Sequence, residues 1–218
     1  MAYNLEQQEQ LDALKDWWKQ YGNLVLTALT IFLFAFSAYM GWKWYQRTQA
    51  EQATLVYETL EKAVQEKEFS KIKAAGGTLL EKYSGTTHAE FGALLMARAY
   101  FEANDLPAAK AQLQWLIEHA KHEEHAAVAR LRLAGILLDE KAYDAGLKVL
   151  ALEPPSAFTA LFADRRGDLL VAQNKTDEAR KAYEQALALL GEKNNLRIVV
   201  ELKRDALGVP SVPTVAAK

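Results

Sequence analysis

The chain has 218 residues, with 26 Lys and Arg against 28 Asp and Glu, and a formal net charge of −2 at neutral pH. This balance lacks the excess of cations that binding to a nucleic-acid backbone needs, so we expect no nucleic-acid partner. Cysteine is absent, which excludes disulfides, a thiolate nucleophile and a cysteine-based zinc site. Its absence also favours an oxidising compartment, where a stray thiol is a liability.

Residues 1–22 form an acidic segment with apolar residues at helical intervals. The apolar positions are Leu11, Leu14, Trp18 and Tyr21. This pattern predicts a short amphipathic helix that leads into the next segment. A cleaved signal peptide would begin with basic residues instead, so we expect the apolar stretch that follows to be retained.

Residues 23–45 have the composition of a membrane-spanning helix. The stretch from Asn23 to Trp42 contains no charged residue, and about 20 residues at 1.5 Å each cover the roughly 30 Å of a bilayer's hydrocarbon core. Aromatic residues cluster at both ends, as they do at membrane interfaces. They are Trp17, Trp18 and Tyr21 before the span, and Tyr39, Trp42, Trp44 and Tyr45 towards its other end. We therefore predict one transmembrane helix in a lipid bilayer.

The flanks of this span leave its orientation open. Two basic residues precede it closely and two follow it closely, and the charge-bias rule therefore gives no direction. Within the span, Ser37 and Gly41 are small residues four positions apart. This spacing lets two membrane helices approach, so it predicts a helix–helix contact there.

Residues 46–208 have the pattern of an all-helical domain. Residues 43–67 contain no Gly or Pro, so we expect the anchor helix to continue beyond the membrane. The remainder shows no strict alternation of apolar and polar residues, and therefore no sheet. Asp105 followed by Pro107 is typical of a helix start. Residues 209–218 contain two prolines and few residues to bury, which predicts a disordered tail.

Three helix pairs in this region repeat one pattern. Small residues occupy equivalent positions in the first and second helices, at Ala97, Ala134 and Gly167 and at Ala109, Gly146 and Ala179. Polar turn residues lie between the two helices of each pair, at Asn104, Lys141 and Asn174. The second set of small residues is spaced by 37 and 33 positions. A fourth, degenerate unit is predicted between Tyr57 and Leu80.

This pattern resembles the tetratricopeptide (TPR) repeat, whose period is 34 residues. The usual Trp of the first helix and the closing Pro are absent from all three units, and the second unit matches least well. The resemblance implies a TPR-like α-solenoid of stacked helix pairs; with the predicted transmembrane helix before it, we expect an all-α protein.

Three of the four histidines lie close together, at His119, His122 and His125. On a continuous helix this spacing would place the three rings on one side, where they could bind zinc. The predicted helix boundary falls among them, however, so we expect a solvated turn and no metal. The sequence contains no phosphate-binding loop or nucleophile motif. We therefore expect neither an enzyme nor a cofactor.

Stacked helix pairs form a concave surface that binds peptides or partner domains. The register predicts that the inner helices direct seven side chains towards this groove: Phe91, Arg98, Phe101, Leu131, Leu138, Asp164 and Asp168. The apolar members of this set are equally consistent with core positions.

The whole arrangement resembles the ancillary Sec translocon subunit (YfgM) family. The resemblance rests on the segment from Trp17 to Gly22, the single span, the helical extension and the block from Phe91 to Leu116. It implies an inner-membrane protein with a cytoplasmic N-terminus and a periplasmic domain. It also implies association with Sec translocon subunits, with a membrane-anchored prolyl-isomerase-like periplasmic chaperone, and with secreted or membrane polypeptides in transit.

The resemblance further implies help in passing these polypeptides to chaperones, and restraint of a cytoplasmic stress response regulator. Two alternatives remain open on the residues alone. A general cell-envelope scaffold, for division or outer-membrane assembly, would share every feature described above. A membrane-anchored enzyme would need converging catalytic groups, which the sequence does not reveal.

Overall fold

The computed structural model describes residues 5–208. The described part is all helical, which confirms the predicted fold class. Its helices, in chain order, are α1 Leu5–Gln65, α2 Phe69–Lys82, α3 Thr87–Glu102, α4 Leu106–His119, α5 Glu123–Asp139, α6 Tyr143–Val149, α7 Thr159–Ala172, α8 Thr176–Leu189 and α9 Asn195–Asp205. A short 3-10 turn, Ser156–Phe158, precedes α7. The predicted tail, residues 209–218, lies outside the described residues.

The described part of the chain divides into two compact units, with the boundary between Glu51 and Gln52. In the first unit the described part of the amphipathic segment and the apolar stretch form one continuous helix, which passes through Gly22 and contains no proline. It is the one helix in the described part that is long and apolar enough to cross a membrane. Within the apolar stretch the large apolar side chains are exposed, and Phe34 is 78 % exposed. A lipid environment removes the free-energy penalty of such exposure.

The second unit consists of antiparallel helix pairs that stack in chain order. α3 packs on α4, α5 on α6 and α7 on α8, and α4 also packs on α5. The six small residues of the repeat pattern are all buried. Small side chains at these positions let the helices approach closely, while larger apolar side chains fill the space to the next pair. The predicted pairing of helices is therefore confirmed.

The turns between paired helices share one backbone geometry. Among residues 5–208, four residues other than glycine have a left-handed φ of 57° to 61°: Lys67, Asn104, Lys141 and Asn174. In each turn the following backbone N–H donates to a carbonyl five residues earlier, as from Asp105 to Tyr100 at 2.8 Å. Three of these residues are the predicted turn residues. The fourth, Lys67, joins the end of α1 to α2.

The unit around Lys67 is the degenerate fourth repeat. Leu60 and Ala63 near the end of α1 share a buried apolar cluster with Ile72 and Leu79 of α2. α2 is continuous through its two adjacent glycines. The end of α1 therefore belongs to the repeat domain, and α9 packs on α8 at the other end of the stack.

Candidate interaction surface

The inner helices α3, α5 and α7 form a pocket of about 420 Å³. Phe101 of α3 and Leu131 of α5 give it apolar walls. Phe101 is exposed to solvent. Full burial of a phenylalanine side chain lowers the free energy by roughly 1.5–3 kcal/mol relative to exposure, so contact with a partner would be favourable here. The pocket is thus able to take up part of an apolar side chain from a partner.

Three arginines also line the pocket, one from each inner helix: Arg98, Arg132 and Arg165. They are spaced by 34 and 33 residues, close to the repeat period, so the stack places them at equivalent positions. Nε of Arg98 bonds Oε1 of Glu102 at 2.7 Å. Nη1 of Arg165 lies 3.5 Å from Oδ2 of Asp168. These two guanidinium groups therefore have carboxylate partners on their own helices.

The guanidinium of Arg132 has no hydrogen-bond or ion-pair partner among residues 9–208, and the residue is exposed to solvent. Partial desolvation by neighbouring atoms lowers the pKa of this guanidinium, and the positive charge of Arg98 acts in the same direction. Arginine stays charged in proteins despite such shifts. An unpaired cation at this place is therefore stabilised by any anionic group that enters the pocket.

The structure places only some of the seven residues predicted to face the groove in the pocket. Arg98, Phe101 and Leu131 line the pocket. Leu138 does not line the pocket; it is partly buried and, like Leu131, packs against a buried core cluster that includes Leu150. Phe91 does not line the pocket; its ring centroid lies 4.9 Å from that of His125.

Asp164 and Asp168 also lie outside the pocket, because α9 covers them. Nζ of Lys203 is 2.8 Å from Oδ1 of Asp164 and 2.8 Å from Oδ1 of Asp168. The hydroxyl of Tyr183 donates to Oδ1 of Asp168 at 2.9 Å. These two carboxylates therefore hold α7 to α8 and α9, and the sequence-based assignment to an open groove needs this correction.

The sequence analysis missed Arg132 and Arg165. A signal was present, since both follow Arg98 at steps of about one repeat. A search of the repeats for charged residues at equivalent positions, and not only for small ones, would have identified both arginines.

The three clustered histidines have separate surroundings. α4 ends at His119 and α5 begins at Glu123, as the predicted boundary requires. The His119 ring stacks on Trp115. His122 and His125 instead contact the buried carboxylate of Glu90 on α3. The expectation of a solvated turn is therefore wrong for His125, which is only partly exposed.

The predicted membrane contact lies in the first unit. Ser37 and Gly41 are exposed on α1, and a β-carbon built on Gly41 would meet nothing within 4 Å. The surface at this position is open, and a helix–helix contact there stays a prediction.

Comparison with known proteins identifies the family. Residues 15–209 match the family model of a tetratricopeptide repeat-like domain. The chain is similar to the "Ancillary SecYEG translocon subunit" of Neisseria gonorrhoeae, at 32 % identity over 95 % of this chain and 100 % of the relative. The proteins of the same name from Haemophilus influenzae and Escherichia coli are 32 % and 30 % identical. They cover 85 % and 81 % of this chain, and 91 % and 84 % of the relatives.

No solved structure matches the chain. Because the identity extends over nearly the whole of this chain and of its relatives, the protein belongs to the family of ancillary SecYEG translocon subunits, with a TPR-like domain.

Proposed function

We propose that the protein is a membrane-anchored, non-enzymatic accessory of the Sec translocon that binds segments of polypeptides in transit. The names of its relatives support the Sec association. The observation that carries the binding role is the pocket on the inner helices, where apolar walls adjoin the unpaired Arg132. Such a pocket suits transient contact with an extended peptide better than catalysis on a small substrate.

The tether supplies part of the binding mechanism. A domain held at the membrane by one helix explores a small volume, so a weak interaction with a neighbouring channel becomes effective. Phe101 and Leu131 contact an apolar side chain of the emerging polypeptide. Arg132 contacts a carboxylate or a backbone carbonyl, and neither contact requires the polypeptide to be folded.

The proposal includes a topology. Residues 1–22 lie in the cytoplasm and the repeat domain lies in the periplasm of a bacterial inner membrane, where the absence of cysteine is an advantage. The repeat domain passes polypeptides to a membrane-anchored, prolyl-isomerase-like chaperone. The cytoplasmic segment restrains a stress response regulator. Both of these finer roles rest on the family resemblance.

Affinity capture tests this function. The full chain, tagged at its C-terminus, is purified in mild detergent and its co-eluting proteins are identified. We expect Sec channel subunits and secreted polypeptides. Arg132→Glu reverses the charge in the pocket and should reduce the secreted polypeptides, whereas Lys181→Glu on the exposed face of α8 should not.

Two outcomes of the capture would contradict the proposal. Recovery of division or outer-membrane assembly proteins without Sec subunits favours the general envelope scaffold. Equal recovery of secreted polypeptides by both variants would show that the pocket does not bind them.

A further inference from the structure

Glu90, His122 and His125 form a compact cluster between α3 and the start of α5. The Glu90 side chain is 1 % exposed. Nδ1 of His122 lies 3.0 Å from Oε2 of Glu90, and Nδ1 of His125 hydrogen-bonds the same oxygen. One potential ligand atom from each of the three residues lies within 4.8 Å of the other two.

The local backbone fixes this cluster. His122 is the N-cap residue of α5, and His125 follows three residues later, so both rings lie on one side of the helix. The backbone N–H of Lys121 donates to Oε1 of Glu90 at 2.9 Å. The carboxylate is thereby held with its other oxygen towards the two imidazoles, as a supporting hydrogen bond holds a metal ligand.

We propose that this cluster binds a divalent transition-metal ion of the zinc class. Imidazole nitrogen and carboxylate oxygen are ligands that Zn²⁺ prefers. When the metal binds, each imidazole coordinates through Nδ1 and carries its proton on Nε2, which points away from the ion. The metal then replaces the two hydrogen bonds that otherwise converge on one carboxylate oxygen.

The surroundings suit an exchangeable site. The His122 side chain is 50 % exposed, so an ion can reach the cluster from solvent. Three protein ligands leave a fourth tetrahedral position for water. Because the ligands come from α3 and α5, which belong to successive helix pairs, a bound ion would link these pairs and stabilise the domain by binding the folded state alone.

This proposal departs from the expectation drawn from the sequence. That expectation considered His119, His122 and His125 as one set. The structure removes His119, which stacks on Trp115. It adds Glu90, which lies 32 residues before His122 in the chain, at a distance that no local spacing rule reveals.

The test uses the full chain, purified in detergent without a histidine tag and stripped of metal by a chelator. ZnCl₂ is titrated by calorimetry, and the midpoint of thermal unfolding is measured with and without zinc. We expect one zinc per chain, a raised midpoint, and no response to MgCl₂, because magnesium prefers oxygen ligands.

His122→Ala should weaken zinc binding at least tenfold and abolish the rise in midpoint. His119→Ala is the matched control, since it removes a neighbouring imidazole outside the cluster, and should bind zinc as the unmodified chain does. His125→Ala provides a second variant if His122→Ala loses its helical circular dichroism.

Three results would overturn the proposal: no zinc binding by the unmodified chain, equal binding after both cluster substitutions, or loss of binding in His119→Ala. If the unmodified chain binds no zinc, the three residues form only a hydrogen-bonded contact between α3 and the start of α5. None of them bears on the Sec-associated role, which depends on the pocket lined by Arg132.

Discussion

Gly167 of α7 faces the ring of Tyr183 of α8 so closely that a β-carbon at the glycine would lie 2.6 Å from Cδ1 of the tyrosine. The tyrosine ring is buried, and its hydroxyl donates to Asp168 at 2.9 Å. The buried surroundings and this hydrogen bond therefore hold the tyrosine ring in place. The close approach of these two helices depends on the missing side chain at Gly167.

Gly167→Ala should destabilise the repeat domain. The added methyl group overlaps a ring that cannot move freely, and overpacking of this kind costs about 1–3 kcal/mol in the free energy of unfolding. Gly77→Ala is the control, because a β-carbon there would meet nothing within 4 Å. That change should stabilise α2 by roughly 0.5–1 kcal/mol. Urea unfolding followed by circular dichroism measures both, and a loss of stability in both variants would contradict the packing argument.

The repeat domain should fold without the membrane anchor. A fragment starting near Ala50 keeps the part of α1 that packs on α2, including Leu60 and Ala63. We expect it to be soluble and helical, and to unfold in one cooperative transition, since neighbouring helix pairs bury each other's apolar faces. Circular dichroism during a thermal scan measures this. An insoluble or largely unfolded fragment would show that the domain needs more of the anchor helix.

Protease accessibility should reveal the orientation. In cells with a permeabilised outer membrane, added protease should digest the repeat domain, because we place it in the periplasm. The same protease added to intact cells is the control and should leave the domain uncut. Protection of the domain in permeabilised cells would contradict this topology, and with it any transfer of polypeptides to periplasmic chaperones.

Photo-crosslinkers should distinguish the pocket from the rest of the surface. A crosslinking residue at Arg98 or Phe101 lies in the pocket and should capture Sec channel subunits, the membrane-anchored chaperone or secreted chains. Lys181 is exposed on α8 and provides the control, with a much lower yield expected. Similar yields from both positions would mean that the pocket is not the working surface.

The buried carboxylate of Asp164 should make stability depend on pH. Burial raises its pKa despite the hydrogen bonds from Lys203, and the negative charge of Asp168 adds to the increase. The pKa of Asp164 in the folded chain lies above its unfolded value of about 3.9. The contribution of Asp164 to the free energy of unfolding therefore falls as pH rises from the unfolded pKa to the folded pKa.

Asp164→Asn lacks this titration. The stability of the variant relative to the unmodified chain should therefore be higher at pH 7 than at pH 4. Urea midpoints of both proteins at the two pH values measure the difference. A relative stability that stays constant, or that falls with increasing pH, would contradict the raised pKa.

Some of the candidate surface was predictable from the sequence. Arg98, Phe101 and Leu131 were assigned to the inner face and line the pocket. Leu138 was assigned to the same face but does not line the pocket. Periodicity indicates which face of a helix a residue occupies, but a residue near the edge of that face contacts either the groove or the next helix. The rotation of each helix in the stack decides between them.

The sequence by itself determined the apolar anchor helix, the helix pairs and the turn residues such as Asn104. These features depend on interactions between residues close together in the chain, and local patterns record them directly. Only the tertiary structure decided that Glu90 contacts His125, that Arg132 lies unpaired beside Arg98, and that Lys203 covers Asp164. Each of these contacts joins different helices, and the way the helices stack is set by the packing of the whole domain.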